Sequence, residues 1–210
     1  FRFPQNFDAP YTAQSMQSFW RRWHMTLSFW LRDYLYIPLG GNRGGERRAE
    51  RNLFLTMVIG GLWHGAAWTF VVWGAIHGAA LVLERRWNIR RAAEGWQPTR
   101  WTPVVRWLVT FNVVCLAWVF FRADSFATAF EMLTGLVTRF GPGELVTPML
   151  VFVIALMLAS QFVPPAAVER AQVVFSRAAP VVQGVALGLG LLVIDALGPQ
   201  GVAPFIYFQF

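Results

Sequence analysis

The sequence has no lysine, one cysteine and few charged side chains. All 18 basic residues are arginine, and charged residues make up 14% of the 210, against about a quarter in a typical soluble domain. Cys115 alone cannot form an intrachain disulfide or a cysteine-based metal site. A hydrophobic share of 56% excludes intrinsic disorder.

Long uncharged runs hold most of the apolar residues, and aromatic residues reach 16%. A helix needs about 20 apolar residues to cross a bilayer. The arginines cluster between the runs, as they do in cytoplasmic loops of membrane proteins. We therefore predict an all-α, polytopic membrane protein and do not take the net charge of +7 as a sign of nucleic-acid binding.

The run at 52–83 fits neither one nor two ordinary spans. As one helix its 32 residues would extend about 48 Å, and as a hairpin each limb would have only about 16 residues. Arginines flank both ends, which places both on the cytoplasmic side. We expect a re-entrant or broken pair of helices in the bilayer, packed around a buried His64.

Other segments have simpler patterns. Residues 16–34 predict one amphipathic helix lying in the membrane interface. A glycine-rich loop with one proline ends this helix. Further helices are expected at 104–121, 125–140, 145–163 and 180–197, the last with glycines that allow close helix approach.

Three histidines are the main candidates for chemistry. His64 lies in the uncharged run, where an ionisable group suggests function, although a hydrogen bond to a neighbouring helix would equally explain it. Burial would keep it neutral and able to accept a proton. His24 borders the apolar stripe of the interfacial helix, either as a catalytic group or as a residue at headgroup level. For His77 we favour packing or hydrogen bonding.

Other kinds of site have little support in the sequence. The histidine spacing and the absence of a cysteine cluster give no metal site. No serine has the Gly-x-Ser-x-Gly setting of a nucleophile. Arg43, Arg47 and Arg48 lie in or beside the glycine-rich loop, where they either meet an anionic ligand or form a solvated turn.

Three motifs carry a family resemblance: FWRRWHMTLS at 19–28, RDYLYIPLGGNR at 32–43 and GLWHG at 61–65. Together they resemble the membrane-bound O-acyltransferase (MBOAT) superfamily, most of all its bacterial alginate O-acetyltransferase branch. That branch is similar to the membrane protein of teichoic-acid D-alanylation. The resemblance is tight over about residues 1–87.

The resemblance implies a function for these positions. His64 matches the superfamily's intramembrane catalytic histidine, and His24 matches its second polar position. The implied reaction moves an acetyl group from a cytoplasmic thioester, acetyl-CoA, toward an extracytoplasmic polysaccharide such as alginate. It implies no tightly bound cofactor, a location in the bacterial inner membrane, and an extracytoplasmic acetyltransferase as partner. Arg43, Arg47 and Arg48 would meet the donor's phosphates.

Family members are more than twice as long as this chain, so we expect a carboxyl-terminal part of a larger MBOAT fold. We assign residues 1–103 to the catalytic core and residues 104–210 to carboxyl-terminal transmembrane helices of the same domain. The alternative function is a non-catalytic membrane conduit or scaffold that serves a separate acetyltransferase. A solute transporter fits less well, because only one broken segment is apparent.

Overall fold

A computed structural model describes residues 3–139, 141 and 146–197. These residues contain helices and no strand, which confirms the all-α prediction. The α-helices are α1 Met16–Trp20, α2 Met25–Leu31, α3 Glu46–His64, α4 Trp68–Ala93, α5 Thr102–Arg122, α6 Phe126–Thr138, α7 Pro148–Ser160, α8 Pro165–Arg177 and α9 Pro180–Leu197.

Helices α3 and α4 form an antiparallel hairpin, the centre of the fold. A Cβ placed at Gly61 would overlap the carbonyl oxygen of Phe70, and one at Gly74 would overlap that of Met57. Glycine at these two positions therefore lets the two backbones touch. The expected break in the 52–83 run is present at residues 65–67, but both helices are longer than the expected limbs because they continue into the arginine-rich flanks.

The prediction of one helix over 16–34 is wrong, because the chain breaks between α1 and α2. The amino-terminal segment before α1 supplies hydrogen-bond partners for the backbone at the break. The N–H of Asp8 donates to the Arg22 carbonyl at 2.9 Å, and the N–H of Met25 donates to the Asn6 carbonyl at 2.9 Å. These bonds pair the Arg22 carbonyl and the Met25 N–H where the helix is interrupted. A π-helix follows α2 over Arg32–Tyr36.

Helix α1 is fixed to the hairpin at its first turn. The Met16 N–H donates to Glu84 Oε2 of α4 at 2.5 Å, and the Ser18 N–H donates to Ser15 Oγ at 3.0 Å. Both bonds satisfy amides that a helix start leaves free. Phe19 and Trp20 are thereby buried against α4, in a core that continues into α5.

The remaining helices agree with the sequence in part. Helix α5 matches the prediction for 104–121, and among the described residues it is the one unbroken helix long and apolar enough to cross a membrane. Helices α6 and α9 also lie where they were expected. Helix α7 has 13 residues, fewer than the 145–163 span predicted, because Pro148 starts it late and a turn ends it after Ser160.

Contacts divide the chain into two compact units, residues 1–161 and 162–210. The second unit contains α8 and α9 among its described residues, while 198–210 lie outside them. No described atom lies within 4 Å of a Cβ placed at Gly184, Gly188 or Gly190, so the close approach expected there is not seen among the described residues. The assignment of roles to 1–103 and 104–210 stays a prediction.

Candidate active site at the hairpin tip

His64 is the last residue of α3 and lies at the hairpin tip, which we define as residues 64–70. Its side chain is buried, with 7% of the residue exposed. The chain turns immediately after it through Gly65, Ala66 and Ala67 before α4 begins. His64 therefore lies where two helices meet at a stretch of irregular backbone. Within a membrane, such backbone is tolerated only where it is packed in protein or lines a cavity.

Aromatic rings enclose His64 on several sides. Its ring centroid lies 5.1 Å from that of Trp73 and 5.0 Å from that of Phe121, both edge-on. Trp63 is also edge-on at 5.0 Å, and Phe70 lies at 6.2 Å. Such walls exclude water, and a desolvated imidazole favours its neutral, proton-accepting form. The arrangement suits a general base.

His24 lies in the break between α1 and α2. Its backbone has φ 45° and ψ 53°, in the left-handed region that few non-glycine residues adopt. Its side chain is half-buried. Its Nδ1 is buried, and no described residue hydrogen-bonds to it.

Ring contacts connect α1, which ends just before the break at His24, to the hairpin tip. Trp20 of α1 lies 5.8 Å from Trp73, whose ring lies 5.1 Å from that of His64. The break in the predicted interfacial helix is what turns His24 away from a regular helical position. A neutral imidazole can remove a proton or hold a hydroxyl group by a hydrogen bond.

His77 lies within α4 and is fully buried. The Trp73 ring contacts both histidines: its centroid lies 4.8 Å from that of His77 and 5.1 Å from that of His64. Phe19 stacks on His77 at 6.2 Å, and Trp20 lies edge-on at 5.1 Å. No described residue hydrogen-bonds to either ring nitrogen. The packing role favoured from the sequence agrees with these contacts, while the hydrogen-bonding alternative has no partner among the described residues.

The three arginines proposed as donor contacts lie far from the histidines. Arg47 and Arg48 are in the first turn of α3, and His64 is its last residue, so about 25 Å of helix separates them. Arg43 lies in the glycine-rich loop just before α3, where Gly40, Gly41, Gly44 and Gly45 all have positive φ. All three side chains are exposed. The structure therefore does not bring them to the tip, and Arg47 alone lines a groove on the hairpin surface.

Phe121 is the site residue that sequence reasoning missed. It ends the uncharged run of α5 and touches His64, Trp73 and Phe70, at centroid distances of 5.0, 5.3 and 5.0 Å. Its only sequence signal was its place in a Phe-Phe pair before Arg122. Of the tryptophans near the hairpin tip, Trp73 is buried beside His64, whereas Trp68 is 74% exposed.

Residues 3–127 match the model of the MBOAT family, the membrane-bound O-acyltransferases. The chain is 51% identical over 132 residues to the probable alginate O-acetylase AlgI of Pseudomonas aeruginosa, covering 63% of this chain and 24% of the relative. It is 50% identical over 136 residues to the peptidoglycan O-acetyltransferase of Helicobacter pylori, covering 65% of this chain and 25% of the relative.

A more distant relative is the teichoic acid D-alanyltransferase of Streptococcus thermophilus, 34% identical over 135 residues, which cover 56% of this chain and 32% of the relative. The matched part thus spans about a quarter to a third of the length of these curated relatives. The family match contains α1 to α5, the hairpin tip and both histidines. The chain therefore belongs to the membrane-bound O-acyltransferase family.

Proposed function

We propose that the full-length protein moves an acetyl group from a cytoplasmic thioester toward an extracytoplasmic polysaccharide, with His64 as general base. The observation that carries the proposal is the buried His64 at the hairpin tip, enclosed by the rings of Trp73 and Phe121. The named activities of the relatives, alginate O-acetylase and peptidoglycan O-acetyltransferase, support an acetyl group and a polysaccharide acceptor.

In the proposed step, neutral His64 takes the proton of an acceptor hydroxyl while its oxygen attacks the thioester carbonyl of the donor. The tetrahedral intermediate collapses, the carbon–sulfur bond breaks, and the thiolate leaves and regains a proton from the imidazolium. His24 holds the hydroxyl or the carbonyl oxygen in place. The aromatic wall of Trp73 and Phe121 keeps water away and so limits hydrolysis of the donor.

Acetyl-CoA is the donor in this proposal, and no cofactor is tightly bound. Arg43 and Arg48 lie at the opposite end of α3 from His64 and would meet the phosphates of a long donor whose thioester reaches the tip. Arg47 lines a groove between α3 and α4. Arg43→Gln and Arg48→Gln should raise KM for acetyl-CoA with little change in kcat, whereas Arg100→Gln should change neither.

We place the protein in the bacterial inner membrane as a multi-pass protein, with the hairpin tip inside the bilayer and the arginine-rich ends on the cytoplasmic side. A separate extracytoplasmic acetyltransferase is its proposed partner. Single-cysteine variants made after Cys115→Ser test this placement. A cysteine at Arg48 should react with an impermeant thiol reagent only from the cytoplasmic side, and one at Ala66 should react from neither side.

The central test is His64→Ala in the full-length protein, with polymer acetylation measured in cells that lack the native copy. Labelled acetyl release from acetyl-CoA by the purified protein provides a second readout. Both should fall at least 100-fold, the range of general-base effects being about 10²–10⁴-fold. Asn112→Ala, an exposed change on α5, is the matched control. Unchanged acetylation at normal protein abundance would instead support the conduit or scaffold.

A further inference from the structure

A groove of about 570 Å³ runs between α3 and α4 at the open end of the hairpin, which we define as Glu46–Arg51 with residues 82–90. One part of its lining is charged and consists of Arg47, Glu50, Arg51 and Arg86. The other part is apolar and includes Phe54 and Leu83. The groove thus changes from charged to apolar along the hairpin toward the tip.

The charges in the groove do not balance. Glu50 is occupied by Arg86 in a two-pronged ion pair, with Nε to Oε1 at 2.8 Å and Nη2 to Oε2 at 2.6 Å. Among the described residues, neither Arg47 nor Arg51 forms a salt bridge: Arg47 acts on Glu50 only as a nearby charge, and Arg51 donates to the Asn52 side chain at 3.2 Å. The groove therefore has three arginines and one carboxylate. Two positive charges therefore remain beside an apolar wall.

We propose that this groove binds one anionic glycerophospholipid of the cytoplasmic leaflet. Its phosphate lies between Arg47 and Arg51, and one acyl chain lies along Phe54 and Leu83. The charge surplus matches a phosphate, and the adjoining apolar wall matches a hydrocarbon chain, which a soluble phosphate compound lacks. Basic pockets between helices on the cytoplasmic side of membrane proteins bind such headgroups.

Another basic pocket, among the described residues, does not have these features. It is lined by Trp87, Arg90, Arg91, Glu94 and Trp96. Arg90 pairs with Glu94 at 2.7 Å, and the Arg91 guanidinium lies 3.7 Å from the Trp96 ring. Its charges are thus already engaged. The proposed lipid site is also separate from the candidate active site, because Arg51 and His64 are about 20 Å apart along α3.

The test measures lipid binding to the purified full-length protein in phosphatidylcholine nanodiscs, titrated with dioleoylphosphatidylglycerol. Wild-type protein is compared with Arg47→Gln/Arg51→Gln and with Arg100→Gln/Arg106→Gln, which removes two exposed arginines outside the groove. Native mass spectrometry counts bound lipid, and the thermal midpoint reports its stabilising effect. Arg47→Lys/Arg51→Lys keeps both charges in the groove.

The groove variant should bind phosphatidylglycerol about 30-fold more weakly, since each cation near an anionic lipid contributes about a factor of five. The control pair and the lysine variant should bind as wild type does, within about threefold. Glycerol 3-phosphate, which has the phosphate without the chains, should neither bind nor stabilise. Equal loss in the control pair, equal binding of phosphatidylcholine, or full competition by glycerol 3-phosphate or acetyl-CoA would each overturn the proposal.

Discussion

The two ends of the α3–α4 hairpin differ in what holds them. At the tip, His64 is enclosed by rings of Trp73, Phe121 and Phe70, with apolar contacts on several sides. At the open end, an ion pair joins Glu50 to Arg86, whose side chain is mostly exposed. The same two helices therefore have an apolar, buried end and a charged, partly exposed end.

The two ends should therefore respond differently to substitution. Ring packing at the tip depends on volume, so changes there should be felt strongly and should disturb His64. Exposed ion pairs contribute little, since water screens them and their side chains lose freedom. Damage at the tip should therefore lower both activity and stability, whereas damage at the open end should mainly alter stability, binding and pH response.

The largest effect is expected for Trp73→Ala. Trp73 touches His64, His77 and Trp20, so its removal leaves a cavity at the centre of the aromatic cluster. The free energy of unfolding should fall by about 4 kcal/mol, and acetylation should fall with it. Trp68→Ala is the control, because 74% of that residue is exposed. Chemical unfolding in detergent measures the stability of both variants. Similar losses in the two would show that the tip is not tightly packed.

The middle of the hairpin should respond next. Gly74→Ala forces a methyl group onto the Met57 carbonyl of α3. The atoms it meets belong to the backbone of Met57 and Val58, which cannot move aside as a side chain can. We expect a loss of about 3 kcal/mol, because the helices must separate. Gly184→Ala on α9 should be neutral or slightly stabilising, since no described atom lies within 4 Å of its added Cβ. A neutral Gly74→Ala would contradict the close contact.

The sequence predicted the position of the hairpin well and the break at His24 poorly. The 32-residue run was too long for one span and too short for two, and a histidine with flanking glycines marked its turn. The break between α1 and α2 depends instead on two hydrogen bonds: the Met25 N–H donates to the Asn6 carbonyl, and the Asp8 N–H donates to the Arg22 carbonyl. Periodicity within 16–34 contains no information about such partners, so one continuous helix was predicted.

Site residues show the same limit. Motifs identified His24 and His64, because the family pattern contains both. Phe121 reaches His64 only through the packing of α5 on α4, a contact between distant parts of the chain that no local pattern records. Arg43, Arg47 and Arg48 lie far from His64 because α3 is long. The helix begins at Glu46, whereas the uncharged run from which its length was predicted begins only after Arg51.

A third, smaller effect tests how the glycine-rich loop is tied to the open end. The side chain of Asn52 is buried and donates to the Gly41 carbonyl at 3.1 Å. Asn52→Ala removes this donor, so the carbonyl loses its partner, and unfolding free energy should fall by about 2 kcal/mol. Asn112→Ala is matched, because its amide donates at 2.8 Å to Leu108 within one exposed turn. Equal losses would mean that Asn52 does not anchor the loop.

The smallest effect should come from the ion pair itself, through its dependence on pH. The hydrogen bonds from Arg86 lower the pKa of Glu50, so the pair stabilises the fold above the unfolded pKa of about 4.3. This stabilisation is lost as the pH falls through the lowered folded pKa. Glu50→Gln should therefore melt slightly below wild type at pH 7, and the two curves should converge in acid.

Thermal unfolding between pH 7 and pH 3 measures this convergence. Glu131→Gln provides the control, because Glu131 pairs with Arg139 at 3.1 Å with both side chains exposed, where water screens the pair more strongly. A Glu50→Gln difference that stays constant with pH would come from packing and not from charge. It would also remove the distinction between the two ends of the hairpin, since the open end would then depend on volume as the tip does.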